Sequence, residues 1–255
     1  MHESIGLWGD APLNSEASWA AFDPHAYVDH NYRYIHTLDA EILSIVRDHF
    51  GEHFPRRGDR PVTGIDVGAG GNLYPALAML PWCDEITLLD RSSANVRYLR
   101  DQADSYDGHW DQFWHVLCKN EAYSALDVDP RARFRDAVSV QEGDIFDLAR
   151  HEGRWSMGTM FFVAESITSS RADFDRGVEC FLWALAPGAP FAAAFMAHSV
   201  GYCAGEYFFP ACNVGEPEVR ASLKRFTDAF RTVDLQFSAD LREGQGGMIF
   251  AYGTR

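Results

Sequence analysis

The stretch Val62-Thr63-Gly64-Ile65-Asp66-Val67-Gly68-Ala69-Gly70-Gly71-Asn72-Leu73-Tyr74 decides the fold. Residues 64–67 read as a short buried strand between Pro61 and Gly68. A glycine turn follows and runs into a helix from Leu73 to about Leu80. Strand, glycine turn and helix start together suit a nucleotide. The glycines let backbone approach a ligand, and the helix start offers unpaired N–H donors. A dinucleotide fingerprint needs a third glycine where Leu73 stands, which weakens the case for a pyrophosphate. An adenosine ligand without phosphate, S-adenosylmethionine (SAM), fits better. The glycines would seat its methionine part, with Asp66 close to the turn.

Working outward, Glu85–Asp90 reads as a second strand that ends in an acid 22 residues past Gly68. An acid at that spacing and at a strand tip can take both ribose hydroxyls. Residues 92–103 read as a helix capped by Ser92 or Ser93, and residues 107–125 as another. A charged piece, 127–136, leads to a third strand at 137–141. The loop after it holds Asp144 and Ile145, where an acid can bond an adenine amino group and an apolar neighbour can cover the ring. Residues 155–163 form a fourth strand ending at Ala164-Glu165-Ser166. A helix at 171–185 stops at Ala186-Pro187-Gly188, and 190–198 is the fifth strand. Residues 200–214 read as an irregular insertion, 216–229 as the last helix, and 232–238 with 247–252 as a closing strand pair.

Upstream, Asp23 before Pro24 marks a helix start, and apolar residues at helical spacing predict one long helix over about 26–50. The pattern is a Rossmann-like α/β fold. Its mostly parallel seven-stranded sheet carries helices on both faces, under an N-terminal helical lid. One domain is expected over 1–255, with 1–54 as the lid and 55–255 as the core. Ligands in such sheets lie outside the carboxyl ends of the strands, where Asp90, Asp144, Glu165, His198 and Ser199 all fall.

Composition narrows the partners. The net charge of −15 argues against nucleic acid, which needs clustered Lys and Arg. No apolar run approaches the ~18 residues of a membrane span, and the first residues lack a basic-then-apolar leader, so a cytoplasmic location is expected. The five cysteines form no Cys-x-x-Cys pair, which points to reduced thiols and no zinc site; no metal is expected. A monomer or a homodimer both fit.

Several pieces together resemble the small-molecule N-methyltransferases that include the nicotinamide, phenylethanolamine and thioether/indolethylamine enzymes. They are Phe22-Asp-Pro-x-x-Tyr27 with Asn31-Tyr32, Ile65-Asp-Val-Gly-Ala-Gly-x-x-x-Tyr74, Leu89-Asp90 with Asn95, Asp144-Ile145, Glu165, Ala186-Pro-Gly188, Tyr202 with Ala204-Gly-Glu206, and Gly247-x-x-Phe250-Ala251. The resemblance implies a class I SAM-dependent methyltransferase that releases S-adenosylhomocysteine (SAH). It implies that Tyr27, Tyr32, Gly68, Ala69, Gly70 and Tyr74 surround the amino-acid end of SAM. Asp90 with Asn95 would hold the ribose, and Asp144 with Ile145 the adenine. Arg91 stands where relatives place an aromatic residue against adenine. Glu165 and Tyr202 match positions facing a small-molecule methyl acceptor and are the expected catalytic residues, the Glu165 carboxylate stabilising the charge that grows on an attacking amine. By their places at the strand ends, Phe162, His198 and Ser199 are expected to line the same acceptor pocket. Residues 195–199 lack a second acid that some relatives use to hold the acceptor. O- or C-methyl transfer, and SAM binding without turnover, stay open at this level.

Overall fold

In the computed structural model, which describes Asn14 and residues 17–54, 61–227, 229–236 and 247–255, the strands are β1 (Thr63–Val67), β2 (Glu85–Asp90), β3 (Val138–Glu142), β4 (Met157–Phe161), β5 (Pro190–Met196), β6 (Gly201–Ala204), β7 (Tyr207–Pro210), β8 (Phe230–Leu235) and β9 (Met248–Thr254). Seven of them form one sheet in the order β3-β2-β1-β4-β5-β9-β8, and β6 pairs with β7 apart from it. β9 runs antiparallel to both of its neighbours, whereas β1 to β5 are parallel. The register sets Val67 beside Leu89 and Asp90 beside Glu142. The carboxyl ends of β1, β2 and β3 therefore finish along one edge.

The helices are α1 (Pro24–Asn31), α2 (Thr37–His53), α3 (Tyr74–Met79), α4 (Ser93–Asp104), α5 (Asp111–Leu117), α6 (Glu121–Ser124), α7 (Pro130–Ala137), α8 (Arg171–Ala184) and α9 (Glu216–Leu223). Alternation along the strands divides the core between the two sheet faces. On β5, Ala192 and Ala194 face the cluster built by α2, α3 and α5. Phe191, Ala193 and Phe195 face the cluster of α8 and α9. The small alanines on the first face leave room for Phe50, Tyr74 and Phe113, all fully buried.

The expected long helix over 26–50 is two helices. The hydrophobic period reads straight through the break, because a side chain distant in sequence stabilises it. Gln112 accepts from the Ile35 N–H at 2.8 Å and donates to the Arg33 carbonyl at 3.0 Å. Those backbone groups thus stay satisfied outside the helix ladder. Tyr32, the C-cap of α1, turns into the core with its ring 5.8 Å from Trp110 and 6.0 Å from Tyr74. Residues 107–125 likewise split into a 3₁₀ turn (Gly108–Trp110), α5 and α6, with Asn120 capping the last. The charged piece at 127–136 contains α7, which starts on Asp129 and Pro130 as α1 starts on Asp23 and Pro24. The insertion at 200–214 contains the β6–β7 hairpin, closed by a two-residue turn with Gly205 at φ +64°. The final helix is shorter than expected and ends at Leu223. The expected lid and linker fall partly outside the described residues, at 1–13, 15–16 and 55–60, as does the end of the penultimate strand at 237–238.

Candidate active site

β1 ends in Asp66 and Val67, and the chain turns sharply at Gly68, whose φ is +63°. A Cβ there would lie 2.6 Å from both methyl groups of Val163, so only glycine fits both the conformation and the space. At Gly71 a Cβ would meet Val28 of α1 at 2.6 Å; the turn thus lets the N-terminal helix pack directly on it. The Gly70 N–H donates to Asp90 Oδ2 at 2.8 Å. Ser92 N–H and Asn95 Nδ2 donate to the other oxygen at 2.8 and 3.1 Å. Burial raises the Asp90 pKa, opposed by these donors, which fix the carboxylate at the strand tip.

A two-lobed cleft opens along this edge. The first lobe encloses about 730 Å³, part of it open to solvent, and runs from the Gly68–Gly71 turn past Asp90 to Gly143, Asp144 and Ile145. Asp144 accepts from Arg91 at 2.5 Å and from Asn14 at 3.1 Å, and it caps the 3₁₀ turn Ile145–Arg150 through Phe146 N–H. Asn14, Trp19 and Phe22 close the lobe from the N-terminal side. The Trp19 carbonyl accepts from Ser92, the N-cap of α4, at 2.7 Å, which ties this segment to the start of that helix.

The second lobe lies beside the ends of β4 and β5. It is lined by Asp39 of α2, His30 and Asn31 of α1, Met196 at the end of β5, Ser199 after it, and Cys203 and Met248. Five residues line both lobes: Tyr27, Tyr32, Phe162, Ser166 and Tyr202. They form a wall common to both lobes. The ring of Tyr27 lies 5.9 Å from that of Tyr32 and 6.3 Å from that of Tyr202, while Tyr202 stacks on Phe209 at 5.6 Å. Phe162 holds a φ of +61°, a backbone state costly for a bulky residue. Its N–H bonds the Ala194 carbonyl at 2.7 Å, which fixes that turn at the end of β4. Burial, then the charges of Tyr27, Glu165 and Asp90, raise the Tyr202 pKa well above its ordinary value, so its hydroxyl stays protonated.

The remaining sequence candidates lie behind these surfaces. Glu165 is fully buried and is not among the residues lining either lobe. Its Oε1 accepts from Ser166 Oγ at 3.1 Å and from Met196 N–H at 2.9 Å, and Oε2 has no partner among the described residues. Burial pushes its carboxyl up to about 7, against those two donors. It does not cap α8, whose N-cap is Ser170. Asp66 sits beneath the glycine turn, 1% exposed. It accepts from Thr159 at 2.7 Å and is pushed to about 8 by burial. Tyr74 is buried below the turn, stacked on Phe113 at 5.4 Å, and donates to Asp39 Oδ1 at 3.2 Å. His198 is exposed, bonds Asn213 at 3.2 Å, and lines neither lobe; Ser199 lines the second. Sequence reasoning missed Asn14, Trp19 and Asp39. The first two carry no motif, and Asp39 reads as an ordinary acid inside the helix expected over 26–50.

The first lobe suits an adenosine ligand with a charged amino-acid end. Asp90 and Asp144 stand a strand apart, the glycine turn offers backbone at close range, and the Arg91 charge is already matched by Asp144. Among the described residues no group of three or more His, Cys, Asp or Glu is arranged to hold a metal ion, and no helix is long and apolar enough to cross a membrane.

A family model described as the NNMT/PNMT/TEMT family matches residues 12–252. Phenylethanolamine N-methyltransferase of Bos taurus is 24% identical over 180 residues, which are 64% of this chain and 61% of that protein. The chain thus spans about three fifths of the length of that curated relative. Among solved structures, a SAM-dependent methyltransferase from Methanosarcina mazei is similar at a TM-score of 0.51 with 17% identity, covering 77% of this chain and 93% of that one. N-methyltransferase NodS from Bradyrhizobium japonicum WM9, in complex with SAH, is similar at 0.50 with 11% identity, covering 92% and 94%. At such identities the two structures establish the fold.

Proposed function

The chain belongs to the NNMT/PNMT/TEMT family of SAM-dependent methyltransferases, and on that premise we propose that it methylates a nitrogen atom of a small molecule. The observation that carries this reading is the two-lobed cleft: one lobe shaped for SAM, one for an acceptor, meeting at a wall of five shared residues.

In the first lobe, Asp90 accepts from the ribose hydroxyls and Asp144 from the adenine amino group, with Ile145 against the ring. Tyr27, Tyr32, Gly68, Ala69 and Gly70 surround the amino-acid end. Arg91 and Asn95 act through the two acids they bond. Tyr74 and Asp66 support the turn from below. When bound, SAM supplies a methyl group already activated by its sulfonium.

The chain's task is alignment and exclusion of water, and such positioning can supply roughly 7–11 kcal/mol. Tyr27, Phe162 and Tyr202 wall the transfer point, and Ser166 lines it with its hydroxyl donating to Glu165 behind. Glu165 acts through Ser166. Its charge, one residue behind the wall, stabilises the positive charge that grows on an attacking neutral amine. His198 lines neither lobe; the similarity to phenylethanolamine N-methyltransferase of Bos taurus supports nitrogen over oxygen as the acceptor atom.

The test is a screen of small acceptors with methyl-labelled SAM, followed by locating the new methyl group. Label on nitrogen supports the proposal. Label on oxygen or carbon, or tight SAM binding with no transfer to any amine, sinks it.

A further inference from the structure

Resting on the methyl-transfer reading above, we infer that Asp39 sets acceptor specificity by holding a cationic arm of the acceptor at a distance from the atom that receives the methyl group. Asp39 is the third residue of α2 and is 2% exposed. A carboxylate so buried needs partners. One is the Tyr74 hydroxyl, which donates to Oδ1 at 3.2 Å. Burial, then the charge of Asp39, keeps that phenol protonated and therefore a donor. Asp39 also lines the second lobe, so its charge acts on a group bound there.

Position decides what that group is. Asp39 lines the second lobe and not the first. Methyl transfer has to cross the wall that both lobes share. Asp39 lies off that wall, so it meets the far end of the acceptor and not the reacting atom. Among the described residues lining the second lobe it is the one carboxylate, and no lysine or arginine lines it. The residues that the end of β5 contributes, Met196 and Ser199, are uncharged. The rings of Tyr27, Tyr32 and Tyr202 add faces that attract cations. A positively charged arm is the chemistry such a lobe selects, and an anionic arm is the one it rejects.

The bland account of Asp39 is structural: an acid in the first turn of α2 suits the helix dipole and orients Tyr74. The two separate by experiment. SAH-saturated protein is titrated calorimetrically with pyridine and imidazole rings carrying a methyl, an aminomethyl or a carboxymethyl arm. Label transfer from SAM is followed with the same compounds. In the native chain the aminomethyl compounds bind at least about tenfold more tightly than the methyl compounds, and the acids bind least. Asp39→Asn keeps the acceptor for Tyr74, the melting temperature and the SAH affinity. It removes the cation preference, raising KM for the aminomethyl compounds more than it lowers kcat. Asp39→Glu restores part of the preference, which a helix-dipole role alone does not predict. A native chain with no cation preference, or binding none of the compounds, overturns the inference, as does a preference that survives Asp39→Asn. Failure of the native chain to bind SAH defeats the methyl-transfer reading instead, so the two failures are distinguishable.

Discussion

Glu165→Gln separates the buried carboxyl's cost to folding from its service at the wall. Burial lifts the Glu165 pKa from 4.5 to about 7. For an acid raised in the folded state, stability is complete below the unfolded value and falls as pH rises through the folded one. That rise corresponds to about 3 kcal/mol at pH 9, against under about 1 kcal/mol at pH 5. Glutamine keeps the acceptor for Ser166 and Met196 but does not ionise. The stability of the variant relative to the native chain therefore improves by roughly 2–3 kcal/mol between pH 5 and pH 9. Its –NH₂ replaces Oε2, which has no partner among the described residues, and that adds a constant cost at every pH. Denaturant titrations of both chains at pH 5, 7 and 9 measure the difference directly. Turnover is measured beside them. It falls by roughly 10–1000-fold if the charge stabilises the attacking amine, with SAM affinity little changed. In the native chain turnover rises through about pH 7, and in the variant that step is gone. A stability difference flat with pH refutes the buried-carboxyl argument, and near-normal turnover refutes the role at the wall.

Asp90→Ala should weaken SAM binding by on the order of 1.5–3 kcal/mol, read by calorimetry, since it removes a charge-assisted acceptor that three donors of the chain hold in place. Asp66→Asn should flatten the loss of stability that the native chain shows as pH rises from its unfolded value near 3.8 through about 8, measured by thermal melts across that range. Limited proteolysis within residues 17–32 should slow on adding SAH, because Trp19, Phe22 and Tyr27 line the first lobe; equal cleavage with and without SAH would count against their closing over it.

The sheet was legible because its signals are local. A buried run, a glycine turn and an acid at a strand tip each occupy a few adjacent residues, and β1, β2 and the Ser92 cap follow from them. The break between α1 and α2 was not legible. It depends on Gln112 bonding both Ile35 and Arg33, contacts 77 and 79 residues away in the chain that leave no mark on the hydrophobic period. The start of α7 was legible and overlooked, since Asp129-Pro130 repeats the signal read correctly at Asp23-Pro24. In the cleft, the strand-tip acids Asp90 and Asp144 line the first lobe, where their spacing put them. Glu165 and His198 are also at strand ends, yet neither lines a lobe. Strand position fixes how near a residue comes to the edge. Its side-chain direction depends on the turn that follows, here on Phe162 and His198 at positive φ. Asp39 entered the second lobe through tertiary packing of α2, which no local pattern encodes.

The central claim is that one lobe holds SAM and the other the acceptor, with transfer across Tyr27, Phe162 and Tyr202. A crystal structure with SAH and an acceptor amine identified by the label screen tests it most directly. The account predicts ribose oxygens on Asp90, the adenine edge at Asp144, and the amine nitrogen facing the SAH sulfur across the shared wall, with the rest of the acceptor toward Asp39. An amine bound elsewhere, or SAH seated in the second lobe, contradicts it.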